Sequence, residues 1–150
     1  MIIVRRLGPG DEDIVTHLSL EDPSFDAHPG AAEPLEPLSA AATAAFLDDP
    51  TVLHWVAFDG EEVVGHTFCV VHPIRTPPGR EVLLFEIGVH HERRRQGIGR
   101  QLMEALGDWL ATTDIRSAWV LADDADATAF YEACGYTVAA DQPTYLTFDR

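Results

Sequence analysis

Phe85-Glu86-Ile87-Gly88-Val89-His90-His91-Glu92-Arg93-Arg94-Arg95-Gln96-Gly97-Ile98-Gly99-Arg100 is the stretch on which the reading of this chain turns. It begins as an apolar strand ending at Val89, passes through a polar turn with two glycines, and opens a helix. Ile98, Leu102, Met103, Leu106, Trp109 and Leu110 recur at the helical period, which predicts an amphipathic helix over 97–111. The start of such a helix carries unpaired amides and the positive end of the helix dipole, and so attracts anions. Gly97 and Gly99 let the backbone approach a phosphate closely and take up unusual dihedrals. Arg93, Arg94, Arg95 and Arg100 gather here in a chain whose formal net charge is −15. Basic charge concentrated in so acidic a chain predicts a phosphate-bearing ligand. The plainer alternative is that the arginines cover a surface and the glycines serve helix packing.

Two phosphate ligands come into question. A dinucleotide site of the Rossmann kind wants a third glycine, and position 102 is Leu. The acidic pair Asp123-Asp124 keeps that alternative open, although the motif lies two-thirds along the chain behind what reads as an antiparallel hairpin. A P-loop needs a lysine, and the sequence has none.

Working outward, residues 2–7 read as a first strand halted by Gly8-Pro9-Gly10, after which Asp11 is placed to cap a helix. Residues 22–37 crowd prolines and acids together, too long for an ordinary connector, and predict a functional or a mobile loop. Ser39 is expected to cap a helix over 40–47. Residues 52–58 and 63–71 read as a hairpin turning at Asp59-Gly60, with a further strand over 81–89. Beyond the central helix come a strand over 118–121, a helix over 125–134 and closing strands over 136–139 and 145–148. The pattern holds no repeat and no linker, so residues 1–150 read as one α/β domain.

At 150 residues, 46% of them apolar, the chain can bury a core of its own. No apolar run approaches the ~20 residues of a membrane span. The N-terminus has its basic pair after the apolar residues and lacks a small-residue cleavage site, so no signal peptide is expected. Cys69 and Cys134 read as reduced, buried thiols of a cytoplasmic protein. All ten basic residues are arginines. The acidic balance argues against nucleic acid as a partner. It allows either a field that attracts a polycation or an acidic, lysine-poor proteome; acids spread along most of the chain favour the second.

The residues now assembled carry a resemblance. Arg94-Arg95-Gln96-Gly97-Ile98-Gly99 is similar to the Gln/Arg-x-x-Gly-x-Gly/Ala motif of the GNAT superfamily of N-acetyltransferases, and Ala129-Phe130-Tyr131-Glu132-Ala133-Cys134-Gly135-Tyr136 resembles the Phe-Tyr-x-x-x-Gly-Phe/Tyr segment of the same superfamily. Both occur in order with a strand between them, and the likeness is sharpest over 82–136. The aminoglycoside 3-N-acetyltransferase branch is the most similar, although Glu86 stands where that branch carries Asp. The resemblance implies a mixed, mostly antiparallel sheet flanked by helices, with acetyl-coenzyme A as cosubstrate and no metal. It implies cofactor binding by Arg94, Arg95, Gln96, Gly97, Ile98, Gly99 and Arg100, and pairing of pantetheine with Ile87, Gly88 and Val89. Direct attack by a primary amine, an aminoglycoside-like polycation included, would need no cysteine nucleophile. The expected partner is a small-molecule amine, with no nucleic acid or membrane; a homodimer is allowed for. A catalytically silent acyl-CoA sensor and, more remotely, a nicotinamide enzyme are the competing classes.

For the chemistry, Tyr131 matches the family's general acid, with ordinary helix packing as the alternative. Glu86 is the expected base or ammonium anchor. Strict strand alternation puts it on one face with Leu84 and Gly88, where Gly88 would leave open space for the substrate. His90 and His91, being adjacent, are not expected to face one site, and no Cys/His spacing suggests a metal. His54 and His66 could line a cleft, against the plainer reading of solvated or satisfied histidines.

Overall fold

The computed structural model describes residues 1–26, 28, 30, 32–75, 79–141 and 143–148. In chain order the elements are β1 (Ile2–Arg6), α1 (Glu12–Leu20), α2 (Asp22–Phe25), α3 (Ala40–Asp48), β2 (Val52–Asp59), β3 (Glu62–Ile74) and β4 (Gly79–Val89). A 3-10 turn at His91–Arg93 leads to α4 (Ile98–Ala111), β5 (Ala118–Val120) and α5 (Ala125–Ala133). The strands make one five-stranded sheet in the order β1-β2-β3-β4-β5. Every neighbouring pair is antiparallel except β4–β5. This is the mixed, mostly antiparallel sheet expected, and it rules out the doubly wound parallel sheet of a Rossmann site.

Local chemistry sets most of the element ends. Ser39 Oγ accepts from the Ala42 amide at 3.2 Å and starts α3; Asp124 Oδ1 accepts from the Ala127 amide at 2.7 Å and starts α5. Asp11 stands at the cap position of α1 but caps nothing with its side chain. Its carboxylate takes both guanidinium nitrogens of Arg5, at 2.7 and 2.9 Å, and the Gly8 amide at 2.9 Å. A bidentate charged pair is stronger than a single neutral cap bond, and it wins. Pro23 lies in the first turn of α2, where the absent N–H would have no partner anyway. The acid- and proline-rich segment is therefore partly helical, and Leu35 ties it back to the end of α1 through a 2.9 Å amide bond to the Ser19 carbonyl.

Each face of the sheet carries its own core. On one, α4 lays Ile98, Leu102, Met103 and Leu106 over Leu53, Ala57, Val64, Val82 and Leu84. On the other, α1, α2 and α3 bring Val15, Leu18, Phe25 and Leu47 against Val56 and Val63. Gly65 is needed for the first. A Cβ there would lie 2.9 Å from Ile98 Cγ2, so only glycine lets the start of α4 settle onto β3.

The two closing strands do not form among the described residues. Residues 136–141 and 143–148 lie outside the sheet, with Val138, Tyr145, Leu146 and Phe148 exposed. A strand needs a neighbouring ladder, and β5, only three residues long, offers too short an edge. The apolar alternation is present in both segments, but nothing holds them in register.

One irregularity in β4 positions the site. Phe68 pairs with Glu86 but Cys69 pairs with Leu84, so Phe85 is an extra, bulged residue. The bulge reverses the alternation. Val82 and Leu84 bury against α4, and Ile87 and Val89 pack on that same cluster. Gly88 faces Phe25 and His66 on the opposite side, and Glu86 lies with it. The expectation that Glu86 shares a face with Leu84 therefore fails, while its pairing with Gly88 holds.

Candidate active site

The cofactor side is built from β4 and the start of α4. The last pair between β4 and β5 is Leu84 with Val120, and β4 runs on to Val89 without a partner on that edge. Because β5 ends at Val120, the edge of residues 85–89 has no strand partner among the described residues and is open to an added extended chain. Past the strand, Arg95 (φ 62°) and Gly97 (φ 80°) are both left-handed. Such alternation turns successive amides to one side, as in an anion-binding nest. Gly97 caps α4 without a side-chain bond, so the first-turn amides keep neither a cap nor an intrahelical partner. A Cβ on Gly97 would meet nothing within 4 Å, so the approach is clear. The residues present fit a pyrophosphate carrying an extended arm.

Not every expected cofactor residue points that way. Arg95, Gln96, Gly97 and Arg100 are exposed at the loop, whereas Ile98 is buried in the core. Arg94 turns toward α2: its Nε donates to the Val89 carbonyl at 3.2 Å, and its Nη2 donates to the Asp26 carbonyl. Arg93 donates to Asp59 and fastens the loop to the β2–β3 turn. Gly99 serves packing as well, since a Cβ there would come 3.2 Å from the Phe130 ring.

Across the strand lies a cleft of about 200 Å³ between β2–β4 and the helices α1–α3. Glu86 opens into it with about half its side chain accessible; burial of its surroundings, and then Asp22, push its carboxyl above the usual range. His66 Nδ1 stands 3.9 Å from Glu86 Oε1. Its ring is wedged against Gly88, whose Cβ would lie 3.0 Å from Nε2, and edge-on to Phe25 at 5.3 Å. The space at Gly88 is therefore filled by Phe25 and His66, not open as expected, because α2 closes down on the strand there. His54 follows at 5.6 Å, with no hydrogen-bond partner on either ring nitrogen among the described residues. These histidines are neither solvated nor satisfied. His90 and His91 stack at 4.8 Å and both meet α2, His90 through Phe25 at 5.7 Å and His91 through the Ser24 carbonyl at 3.1 Å. They reach one side together because the chain leaves the strand at Val89.

Tyr131 is buried in the other core, on the face of α4. It lines an open trough with Leu84, Arg100 and Asp123, and burial raises its hydroxyl well above the usual range. Tyr131 and Glu86 thus flank β4 from opposite faces of the sheet. Cys69 is fully buried and its thiol is pushed up to about 12, which leaves it no nucleophilic role at neutral pH.

The Acetyltransferase (GNAT) family profile matches residues 15–136, which span β4, the uncapped loop, α4 and α5. The chain belongs to that family. Among GNAT relatives, the ribosomal protein bS18-alanine N-acetyltransferase of Escherichia coli (strain K12) is 39% identical over 67 residues, 43% of this chain and 45% of that enzyme. The 5-NmdU N-acetyltransferase of Pseudomonas phage PaMx11 is 32% identical over 91 residues, 59% of each chain. The matches thus cover only about half the length of these relatives. In fold, an aminoglycoside acetyltransferase from an uncultured soil metagenomic sample superposes with a TM-score of 0.85 at 19% identity, covering 99% of this chain and 96% of that one. No helix among the described residues is long and apolar enough to cross a membrane.

The buried histidines make a first measurable prediction about this GNAT chain. Burial lowers His54 to about 3, with His66 adding to the effect, and lowers His66 to about 4. Unfolded, each would titrate near ~6.5. The unfolded chain then binds more protons between those limits, so stability is full above about pH 6.5 and is lost as pH falls, by about 1.4 kcal/mol per pH unit for each histidine. Urea unfolding of wild type and His54→Phe between neutral and mildly acid pH checks this. The variant should show the shallower decline; equal slopes would mean His54 is not buried in its neutral form.

Proposed function

We propose that this chain is an acetyl-CoA-dependent N-acetyltransferase that transfers the acetyl group to a primary amine by direct attack in a ternary complex. One observation carries the reading: a β4 edge with no strand partner beyond Leu84 among the described residues runs into a helix start without a side-chain cap, with a carboxylate and a buried tyrosine on opposite faces of that strand. Acetyl-CoA supplies the activated acetyl group as a thioester. The amides of Gln96, Gly97 and Gly99, with Arg95 and Arg100, hold its pyrophosphate. The open edge at Ile87, Gly88 and Val89 aligns its arm.

Glu86 binds the incoming ammonium and takes its proton, for which a carboxyl raised toward neutrality is suited. The freed amine forms the C–N bond as the C–S bond breaks. Tyr131, a phenol and so protonated at neutral pH, gives its proton to the departing thiolate. Tyr131→Phe should therefore lower kcat by about 100-fold while acetyl-CoA affinity is kept. A wild-type rate in that variant would assign Tyr131 to packing alone.

Thermal shift separates the competing classes. Acetyl-CoA should stabilise the protein and NAD should not, by about 2.7 kcal/mol at 100 times the Kd. CoA release across a panel of amines then distinguishes a transferase from a silent acyl-CoA sensor. A polycation of the aminoglycoside kind is the second acceptor class to test, favoured by the formal charge of −15.

A further inference from the structure

Where the family assignment stops, the cleft beside Glu86 continues. Phe68 stands at the centre of its wall, 5.4 Å from Phe46 and 5.6 Å from Phe85, ring to ring. His54, 5.8 Å from Phe68, and His66 complete an aromatic surface of five rings. The rim is apolar as well, with Leu35 at 54% and Leu38 at 49% exposure, and Phe85 at 64%. Exposed apolar groups surrounding a cleft mark a binding surface.

Among the described residues, the only carboxylates lining this cleft are Asp22 and Glu86, on α2 and β4, and no arginine lines it. Each is raised by burial first and by a neighbouring carboxylate second, Asp26 for Asp22 and Asp22 for Glu86. One ammonium placed between them would relieve both. His54 and His66 stay neutral at physiological pH and do not repel a cation. The two unpartnered nitrogens of His54, 6% exposed, are a desolvation cost that folding leaves standing at the floor of the cleft.

Size excludes as much as chemistry does. About 200 Å³ lies below the ~300–1,000 Å³ of pockets that enclose drug-sized molecules. We propose that this cleft is the acceptor subsite, and that it takes a monoamine carried on a flat apolar body in preference to a polycation. The aromatic wall stacks the body, and the two carboxylates hold the single ammonium, with the ring faces contributing cation–π attraction. A polyamine or aminoglycoside would strand its further ammonium groups against phenylalanine and leucine. The proposal rests on the N-acetyltransferase reading above.

The test compares 2-phenylethylamine, n-butylamine, spermidine and kanamycin as acceptors for wild type and Phe68→Ala, by CoA release and by calorimetry in the presence of CoA. Phe68 pairs with Glu86 across the strands, so n-butylamine, which needs the carboxylate but no aromatic wall, reports any disturbance of the base. Wild type should favour 2-phenylethylamine by about 10-fold or more in kcat/KM over each of the others. Phe68→Ala should raise KM for 2-phenylethylamine by about 10-fold and change n-butylamine by less than about threefold. Preference for spermidine or kanamycin would overturn the proposal, as would equal losses for both monoamines in the variant. Should no amine be acetylated, the transferase reading fails by itself. Calorimetry still decides the subsite: 2-phenylethylamine binding more tightly than spermidine supports it, and the reverse order refutes it. A circular dichroism melt establishes that Phe68→Ala is folded, and Phe68→Leu, which keeps apolar volume but no ring, should fall between the two.

Discussion

Glu86→Gln should lower kcat/KM by about 1,000-fold on the plateau above the acid limb, where wild-type Glu86 is ionised, while acetyl-CoA affinity changes little, within the range a general base contributes. The substitution keeps the shape of the side chain and removes both its charge and its ability to accept the proton. In wild type, Glu86 must be ionised to act. Its carboxyl is raised by desolvation and then by Asp22, so the acid limb of kcat/KM should lie above the ordinary carboxylate range and activity should fall as pH drops through it. The groups that face it set the position of that limb: Asp22 from α2 raises it, and neutral His66 stands 3.9 Å away. In Glu86→Gln the limb should vanish. A pH profile identical to wild type would remove Glu86 from the chemistry, and a water relay from His54 or Asp123 would take its place. Asp124 has a structural duty already, since it caps α5.

Gly99→Glu should weaken acetyl-CoA binding by about 100-fold or more in calorimetry. A carboxylate some ~5 Å from a phosphate, at the effective dielectric of ~20 typical near a protein surface, is repelled by about 3 kcal/mol. Packing complicates this substitution, because any Cβ at position 99 presses on Phe130 at 3.2 Å. Gly99→Gln carries the same steric load without the charge and isolates the electrostatic part. If Glu and Gln lose affinity equally, with matching drops in Tm, the loop is acting through α5 packing and the anion site is misplaced. If only Glu loses it, the phosphate lies at the start of α4.

The same chain segments show how sequence and structure divide the work. The strand, turn and helix of the proposed phosphate loop were legible because their signals are local: strand end, glycines and helix period all lie within residues 85–110, and backbone amides need no distant partner. The cap at Ser39 was legible for the same reason. Asp11 was not, since the partner that diverts it is Arg5 on a different element. The closing strands misled because alternation reports a preference for a half-buried ladder and cannot report whether an edge of sufficient length is free. The segment from Asp22 onward gave only its composition, and its place over the cleft beside Glu86 depends on α2 closing over Gly88.

By itself, then, the sequence determined the order of the elements from β2 to α5, the glycine-bearing helix start and the family, all properties carried by neighbouring residues and by period. Tertiary structure decided which residues meet. The bulge at Phe85 is a mismatch between β3 and β4, visible only in their pairing, and it moves Glu86 to the face opposite Leu84. That single inserted residue brings Glu86 beside His66, His54 and the phenylalanine wall, residues drawn from three strands and a helix. Register is set by the summed burial of whole strands against two cores, and no short window of sequence contains that sum.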